Sequence, residues 1–136
     1  MVQQVTADED TAAIAELVRV FFAAFVPGAD MSRVRDALLP QALIIRAGEP
    51  EPAVYDIDAF LEPRRALLAN GRLTGFSEWE VGGRTDVFGD IAQHSCRYAK
   101  KGVQDGTPFT GGGHKTFQFV RMPGGWRISS VSWHDE

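Results

Sequence analysis

The chain is short of several things that whole classes of protein depend on. Among 136 residues it has one cysteine, Cys96, two tyrosines and three histidines, and its 14 lysines and arginines are outnumbered by 18 acidic residues. A lone cysteine rules out an internal disulfide, and Cys96 lies in a strand-like run where a thiol serves as a small apolar group. A net charge of -4, with the basic residues scattered, leaves no positive face for a phosphate backbone, so nucleic acid is not an expected partner. No apolar run approaches membrane-spanning length, and the opening "MVQQVTADED" lacks the basic and apolar segments of an export signal. The reading is therefore a cytoplasmic protein with no membrane partner.

Ligand spacing for a metal is also missing. His94, His114 and His134 are far apart, no His/Cys/Asp grouping has the spacing of a zinc site, and neither a metal nor a cofactor is expected. Neither Cys96 nor any serine has a recognisable activating partner for nucleophilic catalysis.

A 44% apolar content is enough to bury a core without staples, and the absence of repeats and linkers predicts one domain over residues 1–136. Thr6 and Glu9 have capping-box spacing and predict a helix start. Ile14, Leu17, Val18, Phe21, Phe22 and Phe25 then recur on one helical face up to Pro27-Gly28. "DMSRVRDALLP" predicts a second helix, capped by Asp30 or Ser32 and closed by Pro40, and "ALIIR" a short strand. "YDIDAFLEPRRALLANG" predicts a third helix, capped by Asp56 and stopped at Asn70-Gly71, with a kink or restart at Pro63. From Leu73 onward, apolar and polar residues alternate between the turn signals "FGD", "QDG" and "PGG", which predicts four antiparallel strands. Alternation breaks at Gly82-Gly83 and at Ser129-Ser130, the marks of bulges that bend a sheet. The fold class is α+β, a curved antiparallel sheet wrapped around the N-terminal helices.

The stretch "TPFTGGGHKTFQF" raises a separate possibility, because three glycines precede a Lys-Thr pair. A phosphate loop requires glycine immediately before that pair and again five positions earlier, yet His114 and Phe109 stand there. "HKTFQFVR" moreover alternates as a strand does. The glycines are read as a flexible or bulged stretch of a strand from Pro108 to Arg121.

"FSEWEVGGRTDVFGDIAQHSCRYAKKG", "GGGHKTFQFVR" and "GWRISSVSWHDE" resemble the small bacterial proteins of the nuclear transport factor 2-like superfamily. That group also holds ketosteroid isomerase, scytalone dehydratase and SnoaL-like polyketide cyclases. The resemblance implies a cystatin-like cone around a long first helix, a pocket at its open end, and a homodimer formed through the outer sheet face. It does not carry over the isomerase mechanism, which uses an aspartate base and an oxyanion hole containing a tyrosine. Phe21, Phe22 and Phe25 stand where the tyrosine would be sought, and Ile45 and Arg46 where the base would be. Arg46 stays protonated at working pH.

The candidate site residues follow from alternation and helical spacing. His94 shares a strand face with Ala92, Cys96 and Tyr98, and is read either as a proton shuttle or as a hydrogen-bonded core histidine. Arg64 shares a helix face with Ile57, Leu61 and Leu68, where it clamps a carboxylate or enolate or lies along the rim. Lys115 alternates with Phe117 and Phe119, at a pocket mouth or blunting a strand edge. Trp79 and Trp133 either stack on a flat ligand or fill the core, which is the default for Trp126 too. Phe22, Phe25 and Tyr98 complete the ligand-binding set, while Asp135-Glu136 either reaches over the pocket or frays.

These residues suit a protein that binds a small hydrophobic or aromatic organic molecule in a mostly apolar pocket. The chemistry they would support is cofactor-independent isomerisation, dehydration or cyclisation, with His94 moving the proton and Arg64 or Lys115 steadying negative charge. The alternatives are a ligand-binding or dimerisation module without catalysis, and a filled core with no pocket.

Overall fold

The computed structural model describes residues 2–26, 28 and 30–136, with side chains from residue 8 onward. The described residues form three helices, α1 (Val2–Ala23), α2 (Ser32–Ala37) and, after the first two strands, α3 (Ile57–Ala69). The strands are β1 (Leu38–Arg46), β2 (Ala53–Tyr55), β3 (Leu73–Phe88), β4 (Ile91–Gln104), β5 (Thr107–Met122) and β6 (Gly125–Asp135). They form one curved, unclosed sheet in the order β2-β1-β6-β5-β4-β3. The expected four-strand meander is present and antiparallel, while β1 joins β6 in parallel and makes the sheet mixed. The small strand β2, which pairs with β1, has too few residues to show an alternation in sequence.

Apolar spacing forms α1 as expected: Ile14, Val18, Phe21, Phe22 and Phe25 are buried in a single core with Phe117, Phe119, Ile128 and Val131 of the sheet. Phe21 meets Phe117 edge to face at 5.4 Å, and burying each such ring contributes about 1.5–3 kcal/mol. The helix begins at Val2, upstream of the predicted start, so Thr6 and Glu9 lie within it. The side chain of Thr6 and all of Pro27 fall outside the described residues, which leaves the predicted box and part of the predicted stop without a structural account. Asp56 does cap α3, accepting a hydrogen bond from the Ala59 amide at 2.8 Å, and the helix ends at Asn70-Gly71 as read. Pro63 neither breaks nor restarts α3, which runs through it as one helix. Ahead of α2, Asp30 accepts from the Ser32 amide at 2.9 Å, but the helix ends at Ala37 and Pro40 lies inside β1.

Both predicted bulges are found. Register slips between Glu80 and Gly82 on β3, and Ser129 is the extra residue where Gln118 pairs with Ser130 but Phe119 with Ile128. The glycine run behaves differently from its reading as flexible or bulged. Gly111, Gly112 and Gly113 pair in unbroken register with Lys100, Ala99 and Tyr98. Glycine is needed there because neighbouring strands come very close: a Cβ on Gly112 would lie 2.6 Å from the Tyr98 carbonyl oxygen, and one on Gly113 2.1 Å from that of His134.

One ion pair ties the far half of α1 to the sheet. Arg121 on β5 donates two hydrogen bonds of 2.8 Å to the Asp10 carboxylate, Trp126 Nε1 donates a third at 3.0 Å, and the guanidinium stacks over the Trp126 ring. The hydrogen bonds from Arg121 and then Trp126 hold the Asp10 carboxyl down at about 2, against an ordinary 3.8. A lowered native value means the unfolded chain takes up the proton first, so this contribution is complete above the ordinary value and lost on further acidification. We predict that urea stability falls as pH drops from about 4 towards about 2, the interval between these two values. Asp10→Asn should show a shallower fall over that interval, and an identical profile for the two proteins would remove this tie as its cause.

Candidate functional site

Two cavities open between the helices and the concave side of the sheet. The first, of about 340 Å³, lies under α3 and is walled by Phe25, Phe60, Phe76, Phe109, Leu67 and Trp133. Into it point Arg46, Arg64, Glu78, Lys100, Lys115 and Asp135. The second, of about 490 Å³, lies between α1 and β3 and is lined by Val18, Arg19, Phe22, Trp79, Glu80 and His94. Glu78 borders both.

Lys115 is the centre of the first cavity. Alternation on β5 puts it between Gly113 and Phe117 on the buried face, and only 5% of its surface is accessible. It therefore neither blunts a strand edge nor sits at a mouth. Its ammonium lies 4.6 Å from the centre of the Tyr98 ring and within 5.4 Å of Phe21, Phe22 and Trp133. Its one carboxylate partner among the described residues is Glu78, at 2.7 Å, with both side chains buried. Burial pulls the Lys115 ammonium below its ordinary value, and Glu78 opposes that shift without cancelling it.

Asp135 and Tyr98 stand beside this pair. Tyr98 donates a short hydrogen bond to Asp135, and Lys100 reaches the same carboxylate at 3.2 Å. Burial works against ionisation of Asp135, but the bond from Tyr98 and the charge of Lys100 outweigh it and hold its pKa below the ordinary value. Burial, and next the bond to Asp135, push the Tyr98 phenol upward, so it stays protonated. Thus Asp135 does not fray: it closes β6 against β5 and reaches into the cavity, and Glu136 donates its amide to the Gly112 carbonyl at 2.9 Å.

Arg64 is placed as its helical spacing implies. Its guanidinium lies 3.9 Å over the Phe60 ring, 5.8 Å from those of Tyr55 and Trp133, and donates to the Phe60 carbonyl at 2.9 Å. Burial lowers its pKa from the ordinary value, yet a guanidinium starts so high that it remains charged at neutral pH.

His94 borders the second cavity and has both ring nitrogens engaged. Nδ1 is 2.7 Å from Thr85 Oγ1 and Nε2 is 2.5 Å from Glu80 Oε1. Gly83 makes room for this arrangement, since a Cβ there would sit 2.8 Å from His94 Nε2. Glu80, His94 and Cys96 bring carboxylate, imidazole and thiol donors within 4.8 Å of one another, a grouping that strand pairing creates and sequence distance conceals. It is the one grouping among the described residues able to offer three such donors to a metal. The Glu80 to His94 distance of 2.5 Å is shorter than the roughly 3.3 Å between ligands of a tetrahedral ion, and burial, then Glu80, push the Cys96 thiol up to about 12. The three are arranged as a hydrogen-bonded network.

The residues proposed from sequence thus divide. Phe25, Arg64, Lys115 and Trp133 meet at the first cavity, Phe22, Trp79 and His94 at the second, and Tyr98 lies beneath Lys115. Trp126 and Trp133 are buried as expected, but Trp79 is 43% exposed and departs from core burial. The reason is that Glu78 and Glu80 on β3 reach Lys115 and His94, which leaves Val81 exposed and Trp79 only partly covered at the border of the second cavity. Glu78 and Glu80 were missed for that reason. The available signal was the acidic alternation in "SEWEV" opposite a strand face carrying His94 and Lys115.

No family model matches the chain, and no curated protein matches it either. Solved structures do. An NTF2-like protein with a cystatin-like fold from Novosphingobium aromaticivorans superposes with a TM-score of 0.80 at 20% identity, covering 98% of this chain and 86% of the other. The hexachlorocyclohexane dehydrochlorinase LinA-type3 from Novosphingobium barchaimii gives 0.79 at 16% identity, covering 98% and 90%. A nuclear transport factor 2 (NTF2-like) superfamily protein from Salmonella enterica gives 0.73 at 13% identity, covering 93% and 91%. The fold is the NTF2-like, cystatin-like one, as the sequence resemblance implied.

The buried pair sets a stability prediction. Removing one partner of such a pair strands the other charge, at a cost of about 3–5 kcal/mol, whereas replacing both by apolar groups is often close to neutral. Lys115→Met should therefore lower urea stability by that order, and Lys115→Met with Glu78→Leu should recover most of it. A double variant no more stable than the single one would show that Glu78 is not held against its charge cost by Lys115.

Proposed function

We propose that the chain binds a small, mostly apolar organic molecule in the cavity under α3 and catalyses cofactor-independent proton transfer on it, as in an isomerisation, dehydration or elimination. The observation that carries this reading is the Lys115–Glu78 pair, 2.7 Å apart and buried at the wall of a cavity that several aromatic rings also line. A desolvated acid and base within hydrogen-bond reach of each other is the arrangement general acid–base chemistry uses.

The roles follow from what each group can do. The Glu78 carboxylate takes a proton from a carbon next to a carbonyl, and the electron pair of that C–H bond moves to make the carbonyl oxygen an enolate. Lys115 has two N–H bonds beyond the one given to Glu78, and these hold the enolate oxygen. Glu78 then returns the proton to a different carbon, or a leaving group departs with its bonding electrons. His94, read from sequence either as the shuttle or as a hydrogen-bonded core histidine, is assigned to steadying Glu80 at the second cavity, because both its nitrogens are already bonded. The dehydrochlorinase among the structural neighbours supports the reading to the extent that its name describes an elimination on a similar fold.

We keep the expected homodimer within this proposal, since Val81, Phe88 and Ile91 on the β3–β4 hairpin are about 60% exposed and need a covering surface.

The test is solvent deuterium exchange, followed by proton NMR, on a panel of cyclic and aryl ketones first selected by thermal shift. The native protein should accelerate exchange next to the carbonyl, and Glu78→Gln should lower that rate by about 10²-fold or more. Exchange undiminished in Glu78→Gln would dismiss the assigned base. Ligand binding with no exchange anywhere in the panel would instead establish the non-catalytic binding module.

A further inference from the structure

The first cavity contains more positive charge than its own carboxylates neutralise. Arg46, Arg64, Lys100 and Lys115 all line it, against Glu78 and Asp135. Each carboxylate is matched to one lysine, Lys115 with Glu78 at 2.7 Å and Lys100 with Asp135 at 3.2 Å. Both arginines are left over: among the described residues, neither lies within ion-pair distance of a carboxylate. Arg46 on β1 and Arg64 on α3 are half-buried, and Arg64 feels the charge of Arg46 and, from beyond ion-pair distance, those of Glu78 and Asp135. Two ammoniums and two guanidiniums against two carboxylates leave the lining with a surplus of positive charge that an anionic ligand would complement.

The chemistry of the gap is specific. A guanidinium carries five N–H donors in a planar fork, and the one hydrogen bond recorded for Arg64, to the Phe60 carbonyl, leaves the others available. Its central carbon lies 3.9 Å from the centre of the Phe60 ring, which with the hydrogen bond to the Phe60 carbonyl holds the fork in place. Such a fork matches the two oxygens of a carboxylate. The surrounding wall of Phe25, Phe76, Phe109 and Trp133 matches the flat apolar body to which such a group would be attached.

We infer that the molecule bound in this cavity is a small aryl or alicyclic carboxylic acid, with its carboxylate on Arg64 and Arg46 and its ring among the aromatic side chains. This rests on the proposed binding function of the same cavity and narrows its substrate class. The carboxylate end then lies on the α3 and β1 side, and the rest of the molecule extends towards Lys115 and Glu78 on β5 and β3.

The test compares acids with their neutral twins by isothermal titration calorimetry: phenylacetate, 2-naphthoate and cyclohexanecarboxylate against the corresponding amides. The acid of at least one skeleton should bind 10-fold or more tightly than its amide, and Arg64→Met should bring the two within about threefold. Methionine retains an apolar stem over Phe60, and far-UV circular dichroism with a urea midpoint checks that the variant is folded. Arg64→Lys, which keeps the charge but not the fork, should retain part of the preference. Amides that bind the native protein as well as the acids do would overturn the carboxylate while leaving the proposed proton transfer standing. So would an acid preference that survives both Arg64→Met and Arg46→Met. Failure of every acid and every amide to bind would remove this inference and the binding function together.

Discussion

Phe21 is the contact on which the two cavities depend. It is fully buried, meets Phe117 of β5 edge to face at 5.4 Å, stacks on Phe60 of α3 at 6.0 Å and touches Phe25 at 5.7 Å. One ring therefore fastens the first helix to both the sheet and the third helix. Because these rings fill the middle of the concave face, the remaining space lies on either side of them. The hollow under α3 is bounded by Phe25 and Phe60, and the groove along β3 by Phe22. A smaller side chain at position 21 would leave a void among α1, α3 and β5, and packed interiors accommodate such voids poorly.

Against that aromatic mass the sheet presents charge, and the way the charge is paired explains the shape of β3. Lys115 is carried inward by the alternation of β5, since Phe117 and Phe119 on the same face must be buried. An unpaired ammonium at that depth would be prohibitively unstable, so a carboxylate must approach from the neighbouring strands. Glu78 does so, and Glu80, two residues on with only Val81 bulged between it and Gly82, does the same for His94. Val81 is consequently exposed and Trp79 only partly covered. Electrostatic pairing has overridden hydrophobic alternation on this one strand.

That override marks the boundary of what could be read from sequence. Elements governed by local rules were legible: the apolar stripe of α1, the Asp56 cap and Asn70-Gly71 stop of α3, and the bulges at Gly82-Gly83 and Ser129-Ser130 each follow from propensity or parity within a few residues. Elements governed by contacts between distant residues were not. The three glycines at 111 to 113 look like a flexible stretch until strand pairing shows carbonyl oxygens of Tyr98 and His134 where their Cβ atoms would be. Pro63 reads as a kink or restart, and α3 is seen to pass through it without restarting. Asp135 looks like a loose tail until Tyr98 and Lys100 are found bonded to it. For the site, histidine, lysine and arginine were identified from the faces they share with apolar residues. Their carboxylate partners were not, because Glu78 and Glu80 occupy a strand whose alternation, taken alone, points them outward.

The pairing also decides which buried group keeps hydrogen-bonding capacity for the proposed chemistry. His94 is the side chain whose ordinary pKa best suits proton exchange near neutrality, which is why sequence favours it. In the fold its two nitrogens are bonded to Thr85 and Glu80, so accepting a proton from a ligand would mean breaking one of those bonds first. Lys115 gives one hydrogen to Glu78 and retains two, and the carboxylate it meets has lone pairs to spare. The lysine and glutamate can therefore engage a ligand without first abandoning each other. Arg64, half-buried over the Phe60 ring and hydrogen-bonded to its carbonyl, adds positive charge from a position already held, and a preorganised charge is worth most where water is excluded. On the proposed reading, reactivity in this cavity depends less on which residue has the right intrinsic pKa than on which one keeps an unused hydrogen-bonding valence after folding.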